Sequence, residues 1–195
     1  MVMIAGMERV GFFRWICLLA ARLVGCRVLP LLLAFMFISG FLAMFIDSIT
    51  VLLFLSIVTI ELARLLKFDP VPVIIAEIFA ANTGGSATMS GDPPNIIIGT
   101  AFGYNFFDFA VNTGVIAWVG MIFTMAYFYF ISRRSLKQET TPEEIMKLCP
   151  LPSSAITNRP LFLVDTAIFI FTVLLIVTHA QTGFSMALIG VIAAV

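Results

Sequence analysis

From its N-terminus the chain alternates long apolar runs with short polar interruptions, and the run lengths predict most of its elements. Leu29 to Ile46 is apolar and uncharged over about 18 residues, close to what a helix needs to cross a bilayer. It stops at Asp47-Ser48-Ile49-Thr50, and a second apolar run, Val51 to Ile60, leads to Glu61, Arg64 and Lys67. Extended to Leu66, the second run reaches ~20–24 Å at the helical rise, short of a hydrocarbon core ~30 Å thick. Two arrangements fit residues 29–66. One is a pair of spanning helices with a tight turn. The other is a re-entrant helical hairpin whose tip, Asp47 to Thr50, stops inside the membrane. The short second arm favours the hairpin.

Pro70 and Pro72 open the next segment, residues 69–104, where proline suits the first turn of a helix. "VIIAEIFAAN" reads as about ten residues of helix, then "ANTGGSATMSGDPPN" interrupts it, then "IIIGTAFG" resumes. Each apolar half is too short to span alone. Together, with the interruption between them, they have the pattern of a discontinuous transmembrane helix. Residues 105–131 hold a run long enough to cross. Residues 132–160 form an aqueous linker of mixed charge, in which Thr141-Pro142-Glu143-Glu144 has the cap, proline and acids of a helix start. Residues 161–195 contain a span from Leu161 to Thr178, a short turn at His179–Gly183 and the start of another helix.

Residues 1–28 carry Arg9, Arg14, Arg22 and Arg27 among apolar residues. Leu-Val-Gly-Cys ending at Cys26 faintly resembles a lipoprotein cleavage site, but Arg22 interrupts the apolar stretch. The segment reads as a basic amphipathic one.

Composition fixes the class. The 195 residues are 61% hydrophobic and only 11% charged, with a mean hydropathy of +1.11, whereas a soluble domain carries about 25% charged residues. This is the composition of an all-α integral membrane protein, and the bilayer is its first partner. Zero net charge gives no sign of nucleic-acid binding. Cys17, Cys26 and Cys149 have no paired spacing and read as isolated thiols. No cofactor is indicated. If the hairpin returns to its own side and the next two segments go out and back, all 11 Lys and Arg share one face. That face is cytoplasmic by the positive-inside rule, in a multi-pass protein of a plasma or inner membrane, or of an organelle.

Non-helical backbone at membrane depth persists only where it is buried in protein or lines a watery cavity. Gly84, Gly85 and Gly91 allow close approach and unusual dihedrals, and Pro93-Pro94 stops one helix from running through. The broken ends offer carbonyls that suit a cation and N–H groups that suit an anion. Asn82, Thr83, Ser86, Thr88 and Asn95 add neutral ligands, and Asp92 a carboxylate. The stretch is therefore a candidate ion or solute site. The plain alternative is a surface loop between two helices. A phosphate-binding P-loop is excluded, since no Lys follows the glycines. Asp47 is the one charged residue between Arg27 and Glu61, and an ionisable group inside a membrane marks a functional site by default. Glu77 is either a second buried carboxylate or a group facing the cytoplasmic vestibule. His179 and Asp108 read as surface and interfacial groups. An intramembrane aspartyl protease built on Asp47 and Asp92 lacks the expected Gly-x-Gly-Asp pattern, because Met89-Ser90-Gly91 precede Asp92.

Two of these motifs carry a family resemblance. Asp47-Ser48-Ile49-Thr50 resembles an Asp-Asn-x-Thr hairpin tip. Asn82, Gly84, Gly85, Ala87, Thr88, Gly91, Asp92, Pro93, Pro94 and Asn95 match a long Asn-x-Gly-Gly-x-Ala-Thr-x-x-Gly-Asp-Pro-Pro-Asn signature. The chain resembles the ion-transporter superfamily, in the branch of arsenite-efflux permeases, D-type sodium/proton antiporters, citrate-transporter-like proteins and the P protein. The resemblance implies an elevator-type secondary transporter whose two inverted repeats each supply a re-entrant hairpin and a broken helix around a midplane site. It implies a small ion or anion as substrate, sodium or a proton as coupling ion, and ligands among Asp47, Ser48, Thr50, Asn82, Thr83, Gly84, Gly85, Thr88, Asp92 and Asn95. Two departures stand out. Ser48 replaces the usual Asn, removing an amide, and no second hairpin or break follows. The resemblance is thus to a first half, implying completion by a second half or by another copy, or else a degenerate, non-transporting scaffold.

The linker's five basic residues against three acidic ones orient it inward. A reporter fused near Gln138 is expected to read as cytoplasmic, and an outer-side signal there would overturn the whole topology.

Overall fold

A computed structural model of the chain describes residues 2–135, 149–182 and 191, and among these every regular element is a helix. Two short N-terminal helices, α1 (Val2–Arg9) and α2 (Phe12–Leu23), precede α3 (Val28–Ala43) and α4 (Ser48–Leu66). Next come α5 (Val71–Gly85) and α6 (Pro93–Phe102). The short α7 (Phe106–Phe109) runs through a π turn at Ala110–Gly114 into α8 (Val115–Ser135). A 3₁₀ turn at Pro152–Ala155 leads to α9 (Arg159–Thr182).

Three helical stretches are long and apolar enough to cross a membrane: Ser48–Leu66, Phe106–Arg133 and Arg159–Thr178. The first differs from the sequence expectation. Ser48 to Thr50 are not outside the second arm but form its first turn, so α4 has 19 residues rather than a short run from Val51. Asp47 makes this possible by capping the helix: its carboxylate accepts the Thr50 N–H at 3.1 Å. The turn between the arms accordingly lies at Met44–Asp47. The turn expected at His179–Gly183 also yields to helix, since α9 continues to Thr182. The anticipated helix start at Thr141–Glu144 and the helix from Phe184 fall largely outside the described residues.

The core forms where α3 and α5 cross. Gly40 and Gly84 meet there backbone to backbone, and a Cβ at Gly84 would collide with the Gly40 carbonyl. Small residues at such a crossing let two helices approach closely where lipid supplies no hydrophobic drive. Leu31, Leu32, Phe35 and Met36 of α3, Leu55 and Leu62 of α4, and Val73, Ala76 and Ala80 of α5 are fully buried around it. By contrast, α8 and α9 keep Ile122, Phe123, Phe130, Leu163 and Phe171 exposed, as lipid-facing helices do.

The N-terminal segment folds against this core as an amphipathic unit. Phe12, Phe13, Cys17, Leu18 and Ala21 of α2 are buried, while Arg14 turns out to pair with Glu61 of α4 at 2.5 Å. The end of the linker packs on it, with the Thr157 N–H donating to the Val10 carbonyl at 3.4 Å. One cysteine reading is corrected here. Cys26 and Cys149 are joined as a disulfide with their Cα atoms 6.3 Å apart, and Cys17 is a buried free thiol. The pairing spans 123 residues, a distance over which spacing carries no signal.

Gly84→Ala is expected to destabilise the chain by at least about 1–3 kcal/mol, the usual range for overpacking, because its obstacle is backbone and cannot rotate away. Gly120→Ala should be nearly neutral, since a Cβ there meets only the Thr83 methyl at 3.7 Å. Thermal unfolding in detergent compares the two, and equal melting temperatures would refute the crossing as the tight point.

Candidate functional site

The interruption in the broken helix is narrower than the sequence suggested. Asn82, Thr83, Gly84 and Gly85 still belong to α5, and Pro93-Pro94 are the first residues of α6, leaving Ser86 to Asp92 between them. Proline at the first helical positions has the required φ and lacks an N–H that would be unpaired there anyway.

The hairpin turn and this interruption grip one another. Thr88 and Ser90 both donate to the Met44 carbonyl at the end of α3, Ser90 at 3.1 Å. Ser48 Oγ donates to Asp92 Oδ1 at 2.8 Å. Asp92 therefore does not cap its own helix but reaches across to the start of α4. Gly85 gives it room, since a Cβ there would stand 2.5 Å from Asp92 Oδ2. Asn95 closes the loop from below by donating to the Gly85 carbonyl at 3.1 Å and the Thr88 carbonyl at 2.9 Å.

The residues singled out from the sequence thus divide into two groups. Asp47, Ser48, Thr50 and Asp92 gather at the N-terminus of α4. Both the N–H and the hydroxyl of Thr50 donate to Asp47 Oδ2 at 3.1 Å. Two carboxylates there exceed the partial positive charge of one helix end, so the cluster favours a cation. The second group lines an open cavity of about 630 Å³ between the interruption and α8: Asn82, Thr83, Ser86 and Asn95 on one side, Phe109, Thr113, Ile116, Ala117 and Gly120 on the other. Its polar groups are amides and hydroxyls, and none is charged.

Several expected ligands have structural work instead. Thr88 is buried with its hydroxyl committed to Met44, Gly84 serves the α3 crossing, and Gly91 lies against the Ala43 and Gly85 carbonyls. The helix ends also offer less than expected. At α5 the Asn82 carbonyl takes the Ser86 N–H, Thr83 the Ser86 hydroxyl, and Gly84 the Ala87 N–H. At α6 two of the four terminal N–H groups are absent because prolines stand there. The α8 side of the cavity escaped the sequence reading. Its signal was Thr113-Gly114 inside an apolar run, which the structure turns into a π bulge, a feature frequent at functional sites.

Glu77 proves to be a buried carboxylate, with no exposure at all. Asp108 is a capping group, accepting the Asn105 N–H at 2.7 Å while Asn105 caps α7 in return. Among the described residues no group of three or more His, Cys, Asp or Glu could hold a metal ion.

The site is thus an interrupted helix gripped by a helical turn, beside a polar cavity in an apolar helical bundle. The chain belongs to the citrate transporter family, whose model matches residues 1–195. It is 25% identical over 195 residues to a 46 kDa membrane protein of Mycobacterium leprae, covering 100% of this chain and 45% of that one. It is 40% identical over 98 residues to the human P protein, covering 50% of this chain and 12% of the relative. With an uncharacterized transporter of Mycobacterium tuberculosis it shares 30% identity over 122 residues, 63% of this chain and 28% of the other. The chain thus spans less than half the length of these relatives.

Asn95→Ala is expected to loosen the interruption by leaving two carbonyls unpaired, at about 1–3 kcal/mol each if water cannot reach them. Faster hydrogen exchange confined to residues 85–95 would show it, and unchanged exchange would show that Asn95 is no clamp.

Proposed function

We propose that the chain is one repeat of a secondary active transporter that moves a small ion or anion by alternating access. The observation that carries this reading is the grip between Asp92 at the interruption and Ser48 at the hairpin turn, beside the uncharged cavity. Two chemistries stand on two sides of the interruption. The carboxylates of Asp47 and Asp92 suit a coupling cation, sodium or a proton. On the cavity side the Asn82 amide keeps donors for an oxyanion such as a carboxylate, while Asn95 and the hydroxyls of Thr83, Ser86 and Thr113 already donate to backbone carbonyls and offer lone pairs. The family's description, citrate transporter, supports a carboxylate solute. Arsenite and sodium/proton exchange remain the neighbouring chemistries.

In this reading Met44–Asp47 is the tip of a re-entrant hairpin that travels with the interruption in an elevator motion. A second repeat, or another copy of the chain, supplies the opposite wall of the cavity. The protein is multi-pass, in a plasma or inner membrane, with the linker cytoplasmic. A non-transporting scaffold is favoured by one specific feature, the commitment of Thr88 and Asn95 to internal hydrogen bonds.

With a second repeat co-expressed, Asp92→Asn and Asn82→Ala should each weaken sodium-dependent solute binding while leaving insertion intact. The loss is expected at about 1.5–3 kcal/mol, the cost of a hydrogen bond to a charged group, or roughly ten- to a hundredfold in affinity. Asp108→Asn, outside the cavity, is the control. Near-wild-type binding by all three variants would return the interruption to a connecting loop and favour the scaffold.

A further inference from the structure

Glu77 takes no part in the site above, yet its position is costly. It lies on α5 two turns before the interruption and is fully buried, as are Ser39 of α3 and Thr59 of α4, which stand beside it. Thr59 Oγ1 lies 2.5 Å from Glu77 Oε1, and Ser39 Oγ donates to the Glu77 backbone carbonyl at 3.0 Å. Glu77 Oε2 is buried without any hydrogen-bond partner. An ionised carboxylate has about four acceptor sites to satisfy, and here one hydroxyl serves them all.

Among the described residues no ion pair or hydrogen bond joins Glu77 to a positive charge, and the partly buried Arg22 of α2 makes none with it. The titratable side chain that α2 turns toward it is the Cys17 thiol, itself fully buried. Helix α3 has no charged residue between Val28 and Ala43. On α4, Glu61 is taken by Arg14 and Arg64 is exposed. On α8, Tyr127, Tyr129 and Arg133 are exposed. A buried charge persists only when paired, and an unpaired carboxylate neutralises instead.

We propose that Glu77 is a proton-binding site, a neutral carboxylic acid held between α4 and α5 at neutral pH and hydrogen-bonded to Thr59. Its ligand is a proton, distinct in place and chemistry from the solute cavity. Because the acid lies between the second hairpin arm and the first half of the broken helix, parting those helices would admit water and release the proton. The proton site stands on the geometry of Glu77 alone. Its use in coupling rests on the transport reading.

Infrared spectroscopy of the full chain in lipid nanodiscs tests it. At pH 7 the wild type should show a neutral carboxyl carbonyl band that is lost in Glu77→Gln, a near-isosteric change. Thr59→Val should keep the band and shift its frequency, because the hydrogen bond is gone. The second variant carries the test if the first does not fold. A wild-type spectrum matched by Glu77→Gln at pH 7, or a band unmoved in Thr59→Val, overturns the proposal. A Glu77 band in a preparation that binds no citrate upholds the proton site and removes only its role in transport.

Discussion

The crossing of α3 and α5 at Gly40 and Gly84 is the constraint from which the rest follows. Two apolar helices gain little from each other in lipid unless their backbones come close. Here contact is so close that neither glycine could carry a side chain without a shift. That approach fixes the end of α3 beside the end of α5, and so brings the turn after one helix onto the interruption after the other. Met44 can then accept from Thr88 and Ser90, and Ser48 can reach Asp92. Without the crossing, the turn and the interruption would each expose unpaired backbone.

Much of this could be read from the chain, and the reasons for the limits are physical. Apolar run length marked the spans at α8 and α9, because a bilayer demands a minimum length, but it made the α3 arm the longer of the first pair, where the structure gives α4 that length and α3 only 16 residues. The Gly- and Pro-rich stretch marked the interruption, because glycine and proline in a helix interior disfavour one continuous helix. Boundaries were less legible. Thr83, Gly84 and Gly85 weaken helix intrinsically, yet packing against α3 keeps them helical. Ser48 to Thr50 read as a polar tip, yet Asp47 draws them into α4 as its first turn.

Long-range pairing was not legible at all. Cys26 and Cys149, Glu77 and Thr59, and Asn82 and Thr113 are joined by how the helices pack, and a single sequence records no packing partner. Glu77 shows the difference most clearly. Its neighbours in sequence left it equally suited to a watery vestibule or a buried position. Only the arrival of Ser39 and Thr59 from two other helices decides between them.

The interruption, finally, is less open to a ligand than its composition suggests. Broken helices are expected to present bare carbonyls and N–H groups, but this one satisfies most of its own. Asn95 holds two carbonyls, Met44 holds two hydroxyls, and prolines delete two N–H groups. What is left for a ligand is specific: Asp92 Oδ2 beside Gly85, and the cavity face of Asn82, Thr83 and Ser86. Selectivity in such a site would rest on side chains rather than helix dipoles. A closed network of this kind also resists deformation, since each bond broken leaves a half-buried polar group without its partner. The turn after α3 and the interruption are therefore held together as one piece.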